Sequence, residues 1–185
     1  MNAQIYTRLV GCNAPLKHTK GLATKKFGEH TPVVQKSITQ MVNAYKNNNK
    51  QIYLLTGPSR TGKTFAACAY LIGDMKCPNP FKQSGEWDKD DRPHFVHMLD
   101  MLNFEYRHFT EWTYPGVLVL DDLGMGCGES KNIASIIYAL IQKRTYNDIV
   151  TIITTQHSPQ ILENRYGKRF MELTNQFGEI LTTGQ

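Results

Sequence analysis

The sequence predicts an α/β fold in which helices sandwich a parallel sheet, a three-layer architecture. Three observations predict it. Apolar runs at Ile52–Leu55 and Gly116–Leu120, and a β-branched run at Ile149–Gln156 that ends in polar residues, read as strands. Helix-like stretches at Phe65–Ile72 and Ile133–Ile141 separate them. Strands alternating with helices of this length give the rhythm of βαβ units. At 185 residues the chain is one ordinary domain with a real core and little room for a second.

Composition narrows the function classes. No run approaches the ~18 apolar residues of a membrane span, and Met1–Pro15 lacks the apolar centre of a secretory signal, so a cytosolic protein without a membrane partner is expected. Cys12, Cys68, Cys77 and Cys127 are widely spaced without a C-x-x-C, which suggests neither zinc nor a disulfide framework. The histidines are scattered, and His94 and His97 fall on opposite faces of one strand, so they read as structural or surface residues. A net charge of +5 suits contact with nucleic-acid phosphates without deciding it.

Taken in order, residues 1–30 carry Arg8, Lys17, Lys20, Lys25 and Lys26 among Gly and Pro with no sustained period. They read as a basic arm, flexible or folding on a partner. Thr31-Pro32 is a helix start, and Val34, Ile38, Met41 and Tyr45 recur at helical spacing. The strand from Ile52 then runs into Gly57-Pro58-Ser59-Arg60-Thr61-Gly62-Lys63-Thr64, a G-x-x-x-x-G-K-T segment that opens the Phe65 helix. Gly57 turns the backbone off the strand and Gly62 lets it pass close to a polyphosphate. The intervening N–H groups and the helix N-terminus face that phosphate, Lys63 supplies a point charge, and the Thr64 hydroxyl is placed for Mg²⁺. The segment therefore reads as a nucleoside triphosphate site.

Cys77–Pro93 is a long polar connection, either a functional loop or disordered, with Trp87 the one hint of a contact. His94–Met98 reads as a strand and Leu99–Phe109 as a helix. The next strand ends in Asp121-Asp122-Leu123-Gly124. Acids at the C-terminal end of a buried strand sit where ligands bind in open α/β sheets. Asp121 fits the role of holding Mg²⁺ and Asp122 that of polarising an attacking water.

Gly124–Gly128 reads as a mobile turn, followed by a helix capped at Glu129-Ser130 with Lys143 and Arg144 near its end. The strand after it delivers Gln156 to the same sheet edge as Asp121, where its amide would orient water or touch the γ-phosphate, or serve only as a loop residue. Ser158-Pro159 begins another helix, and Arg165-Tyr166-Gly167-Lys168-Arg169-Phe170 is a basic cluster before a short strand at Gly178–Leu181. That cluster reads as a solvated face or as the source of an arginine supplied in trans to a neighbour's γ-phosphate.

In this order the segments resemble the AAA+ ATPases of the DnaC/IstB type, the bacterial helicase loaders and transposition ATPases. The resemblance covers Thr31 to Thr183: Gly57–Thr64 matches Walker A, Leu118–Gly124 the L-x-L-D-D-L-G Walker B, Thr151–Pro159 the sensor 1 segment, and Tyr166–Arg169 the Y-G-x-R box. It implies a P-loop core with a five-stranded parallel sheet in order 5-1-4-3-2. It also implies ATP and Mg²⁺ as cofactors, with the nucleotide bound by Gly57, Pro58, Ser59, Arg60, Thr61, Gly62, Lys63, Thr64 and Phe65, and the metal by Thr64 and Asp121. Asp122 would be the catalytic acid, acting with Lys63, Gln156 as sensor 1 and Arg169 as arginine finger. Arg144 matches an arginine that would face the neighbouring subunit. The partners implied are single-stranded DNA, a replicative helicase or recombination enzyme, and further copies of the chain with ATP at their interfaces.

The sequence departs from the pattern at four points. Arg60 stands where Gly is usual, Gln156 where Asn is usual, and Leu173 where a second arginine would fall. The chain ends just after the fifth strand, so no helical lid and no sensor 2 are expected. Only residues 1–30 precede the core, which fits a minimal helicase loader of the kind phages and mobile elements encode. Rival expectations are an IstB-like transposition ATPase, a superfamily 3 viral helicase domain, and, from another class, a nucleotide-binding adaptor or inhibitor with little turnover.

Overall fold

A computed structural model describes residues 2–47, 50–74, 94–101, 106–125 and 131–184. In chain order its elements are α1 (Ala3–Gly11), α2 (Leu16–Thr24), a 3-10 turn at Phe27–Glu29, α3 (Pro32–Asn47), β1 (Ile52–Thr56), α4 (Lys63–Asp74), β2 (His94–His97), α5 (Met98–Met101), α6 (Tyr106–Thr113), β3 (Val117–Leu123), α7 (Lys131–Tyr146), β4 (Val150–Thr155), α8 (Pro159–Tyr166), α9 (Lys168–Phe177) and β5 (Gly178–Thr182). The strands form one parallel sheet in the order β2-β3-β4-β1-β5, the expected order read from its other edge.

Strand periodicity divides the core in two. Tyr53, Leu55, Phe95, Val117, Val119 and Ile152 pack with α1 to α4 on one face. Ile52, Leu54, Val96, Leu118, Leu120 and Ile153 pack with α5 to α9 on the other. Every residue of β1 is buried, which is why its sequence shows no polar alternation. The helix expected at Leu99–Phe109 is replaced by α5 and by α6, which runs on to Thr113; residues 102–105 lie outside the described residues. So do the Cys77–Pro93 connection with Trp87, and the Glu129-Ser130 cap. Ser158 caps α8 as expected, its hydroxyl accepting from the Ile161 N–H with Pro159 in the first turn.

The N-terminal segment departs from a flexible arm. Helices α1 and α2 pack as a hairpin against α4, burying Leu9, Cys12, Ala14 and Thr19. Each of these helices is only nine residues long, too short to sustain a helical period that stands out in the sequence, and here tertiary burial decides. The Cys12 carbonyl accepts from the Phe95 N–H at 2.8 Å, so the hairpin also reaches β2 at the sheet's edge. Cys12 and Cys68 are buried free thiols. Burial pushes the Cys68 thiol pKa up, which keeps it an inert packing group.

Arg144 is not at the surface as the resemblance implies: it is fully buried. Its guanidinium donates to the carbonyls of Trp112, Thr113, Pro115 and Val150 and to the Thr151 hydroxyl. Burial lowers its pKa to about 9, so it stays a cation at neutral pH, solvated by protein oxygens in place of water. It therefore ties the end of α7 to the start of β4 and to the α6–β3 connection. Arg144→Met is expected to lower unfolding free energy by roughly 3 kcal/mol, as charged hydrogen bonds are lost and buried carbonyls are left unpaired. Denaturant unfolding measures this, and a loss under 1 kcal/mol would contradict the structural role.

Candidate nucleotide-binding site

The C-terminal ends of β1, β3, β4 and β2 bring the site together. At the end of β1 the loop from Gly57 to Gly62 turns into α4. Gly57 and Gly62 take φ values of 141° and 93°, and a Cβ on Gly62 would meet the Val34 backbone of α3 at 2.9 Å. Both glycines are thus required by conformation or close approach. The loop is braced from two sides. Ser37 of α3 donates to the Thr61 carbonyl at 2.7 Å, and the Thr61 and Thr183 hydroxyls share a 2.6 Å hydrogen bond just beyond β5. Lys63 is buried, donating to the carbonyls of Gly57 at 2.8 Å and Pro58 at 2.7 Å. Burial lowers its pKa, opposed by the nearby Asp122 and Asp121 carboxylates. Pro58, Ser59 and Arg60 form the exposed crest of the loop, and Phe65 follows Thr64 in the first turn of α4. The Phe65 ring meets those of His18 at 4.5 Å and His30 at 5.3 Å, both edge-on.

Asp121 lies at the centre, 3% exposed. Its Oδ1 accepts from Thr64 Oγ1 at 3.0 Å and from Thr154 Oγ1 at 2.6 Å, joining β3 to α4 and β4. Burial pushes its carboxyl above the usual range, against the lowering effect of those two hydroxyls. Next to it the β3–β4 register slips between Leu120 and Leu123, and Asp122 takes a φ of 57°. This bulge with a non-glycine residue in the left-handed region redirects the second acid. The Asp122 N–H donates to Thr154 Oγ1 at 2.9 Å, so one threonine serves both acids.

The bulge sets Asp122 beside His97, whose Nε2 lies 3.5 Å from Oδ2. The His97 Nδ1 accepts from the Leu99 N–H at 3.2 Å, which places the imidazole proton on Nε2, facing Asp122. His97 is thus suited to donate to the acid rather than to ligate a metal. By sequence His97 reads as a structural or surface residue; the signal that places it here is cross-strand, His97 standing opposite Asp121 in the β2–β3 register. The hydroxyl of Thr64 and the carboxylate of Asp121 are hard oxygen donors that fit Mg²⁺.

Gln156 follows β4, half-buried, one residue after Thr155, which pairs with Leu123. It therefore shares the sheet edge with the two acids. Arg169 does not join them. It is exposed and lines a cleft of about 290 Å³ with Ser135, Tyr138, Tyr166 and Lys168, and none of the loop residues or acids lines that cleft. Arg165 instead reaches the Walker B turn, donating to the Gly124 carbonyl at 2.6 Å.

Arg60 has a φ of 65° where the family pattern has glycine. Left-handed backbone costs a side-chain-bearing residue about 1–2 kcal/mol, while glycine loses about 0.5–1 in unfolded-state entropy. Arg60→Gly is therefore expected to leave stability unchanged or raise it by up to about 1 kcal/mol, whereas β-branched Arg60→Val should lower it; urea midpoints that fall for both would contradict the backbone assignment. Ionised Asp121 destabilises the fold, and the cost vanishes as pH falls and the carboxyl protonates. Asp121→Asn keeps Oδ1 for both hydroxyls without the charge. It is expected to raise Tm near pH 7, each kcal/mol being worth about 2–4 °C in a chain of this size, and to lose that advantage on acidification. A lower Tm at both pH values would show that the carboxylate stabilises the ligand-free protein.

No protein-family model and no curated protein matches the chain. Solved structures do match. The DnaC helicase loader aligns with a TM-score of 0.62 at 24% identity, over 86% of this chain and 96% of that one. Domain III of the Thermotoga maritima replication initiation protein DnaA aligns with a TM-score of 0.64 at 13% identity, over 86% of this chain and 66% of that one. Replication initiator DnaA bound to AMPPCP and single-stranded DNA aligns with a TM-score of 0.60 at 15% identity; this chain spans 47% of its length. The sheet order, the phosphate-loop segment and these alignments together give the chain the α/β P-loop fold found in the DnaC helicase loader and in domain III of DnaA.

Proposed function

We propose that the chain binds ATP with Mg²⁺ at the Gly57–Phe65 loop and hydrolyses it between two copies, working in DNA replication as a minimal helicase loader. The observation that carries this reading is the convergence of Lys63, Thr64, Asp121 and Asp122 at one end of the sheet, with Thr64 and Asp121 already in hydrogen-bond contact. Lys63 would exchange the Gly57 and Pro58 carbonyls for outer phosphate oxygens. Thr64 and Asp121 would hold Mg²⁺, which supplies charge neutralisation on the β- and γ-phosphates. Asp122 would accept the proton of the attacking water, with its carboxylate aimed by the bulge and by His97. Gln156 would orient that water or contact the γ-phosphate, and Arg169 of a second copy would offset developing charge.

Single-stranded DNA and a replicative helicase are the proposed partners, by analogy with the loader and initiator whose fold the chain shares. Among the described residues no helix is long and apolar enough to cross a membrane. A second reading, a nucleotide-gated adaptor with little turnover, draws on the close hold that the loop's own carbonyls keep on Lys63.

Steady-state ATPase assays over a range of protein concentrations, with and without single-stranded DNA, separate the two. Turnover per chain is expected to rise with concentration and to vanish in Lys63→Ala. Arg169→Ala is expected to reduce it by ~10³-fold while leaving nucleotide binding intact. Lys63-dependent binding without turnover would make the chain an adaptor.

A further inference from the structure

The turn after β3 is held by more than its own backbone. The Met125 N–H bonds the Asp122 carbonyl at 3.1 Å, and Gly124 at the third position has a φ of 91°. The Gly124 carbonyl accepts from Arg165 Nη1 at 2.6 Å and faces His157 Nε2 at 3.1 Å. A carbonyl can only accept, so Nε2 carries the proton. A Cβ at Gly124 would collide with the His157 ring and stand 3.5 Å from Arg165 Nη1. His157 is itself fixed, its N–H bonding Thr155 Oγ1, which donates to the Leu123 carbonyl at 2.7 Å. Side chains from β4, its exit and α8 thus close around the turn that carries Asp122.

On the far side Arg165 sits in the last turn of α8. Gly167, with a φ of 89°, joins α8 to α9, and its N–H bonds the Glu163 carbonyl at 2.8 Å. Tyr166 and Phe170 pack ring to ring at 5.3 Å across the joint and are buried in the core. The corner is therefore stiff, and a shift of Arg165 carries the first turn of α9, where Arg169 lies.

We infer that Arg165 is a positioning residue: by gripping the Gly124 carbonyl of its own chain it sets the α8–α9 corner from which Arg169 is presented to a second copy. The inference rests on the role proposed above for Arg169. Arg165 thereby acts within its chain, and the turn beginning at Asp122 in one site is mechanically joined to the arginine lent to the next.

A two-component ATPase assay tests it. Arg169→Ala copies bind nucleotide but lend no arginine; Lys63→Ala copies lend Arg169 but hold no nucleotide. Titrating the second into the first is expected to restore turnover. Donors carrying Lys63→Ala with Arg165→Ala should restore about tenfold to a hundredfold less, the scale set by a displacement near 1 Å, whereas Lys63→Ala with Arg165→Lys should recover much of it. Donors with Lys63→Ala and Gly124→Ala, whose new Cβ meets the His157 ring and strains the turn that Arg165 grips without removing the arginine's charge, should fail in the same way and provide the measurement if Arg165→Ala does not fold. Equal restoration by the parent, Arg165→Ala and Gly124→Ala donors would overturn the inference. No restoration by the parent donor would overturn the Arg169 role itself, and this inference with it.

Discussion

A carboxylate with almost no water around it is the constraint that organises the ligand-facing end of the sheet. Asp121 is held by hydroxyls from α4 and β4, and ionising it in that setting is unfavourable. Nothing in the packing of β3 asks for an acid there, since Leu118, Leu120 and Leu123 already fill the adjoining core. A buried anion whose ionisation is unfavourable favours an arriving cation, and Thr64 supplies a second oxygen at the place where α4 begins. The bulge that follows is part of the same arrangement: it stops β3 from burying Asp122 as well, and Thr154 satisfies the amide that the bulge frees from the ladder.

The parts of this site that were legible in the sequence are those encoded by neighbours in the chain. The phosphate-loop pattern declares itself because Gly57, Gly62, Lys63 and Thr64 stand at fixed spacing within one short segment, and the acids because Asp121 and Asp122 directly follow an apolar run. Strands β1 and β3 showed as continuous apolar segments because both sheet faces are covered there. What stayed hidden depends on contacts between distant segments. His97 meets Asp122 only through the parallel register of β2 on β3 and the slip in β3. Thr183 braces Thr61 from more than a hundred residues away, and a lone threonine after a strand carries no pattern. The helices of the α1–α2 hairpin are nine residues each, too short to announce a sustained amphipathic face; their burial comes from what they meet.

Three arginines show how little residue type says without position. Arg144 is an interior scaffold satisfied by backbone oxygens, Arg165 is fastened to a single carbonyl of the Walker B turn, and Arg169 lies open in a shallow cleft. In sequence Arg144 reads as a cation near a helix end, and Arg165 and Arg169 as members of one basic cluster. The difference lies in which of them finds enough acceptors to replace water: the end of α6 and the connection to β3 turn three carbonyls toward Arg144, Gly124 offers one to Arg165, and Arg169 keeps its solvent.

The bond between Cys12 and Phe95 bears on solubility as well as on packing. An outermost strand of a parallel sheet exposes donors and acceptors that another chain can extend, and β2, with Phe95 and Val96 at its centre, is apolar enough to invite it. The hairpin occupies one of those donors and covers the adjoining flank of α4. The N-terminal segment is thus a built-in guard against strand-to-strand association, and a shortened chain beginning at α3 would expose an adhesive border beside its candidate nucleotide site.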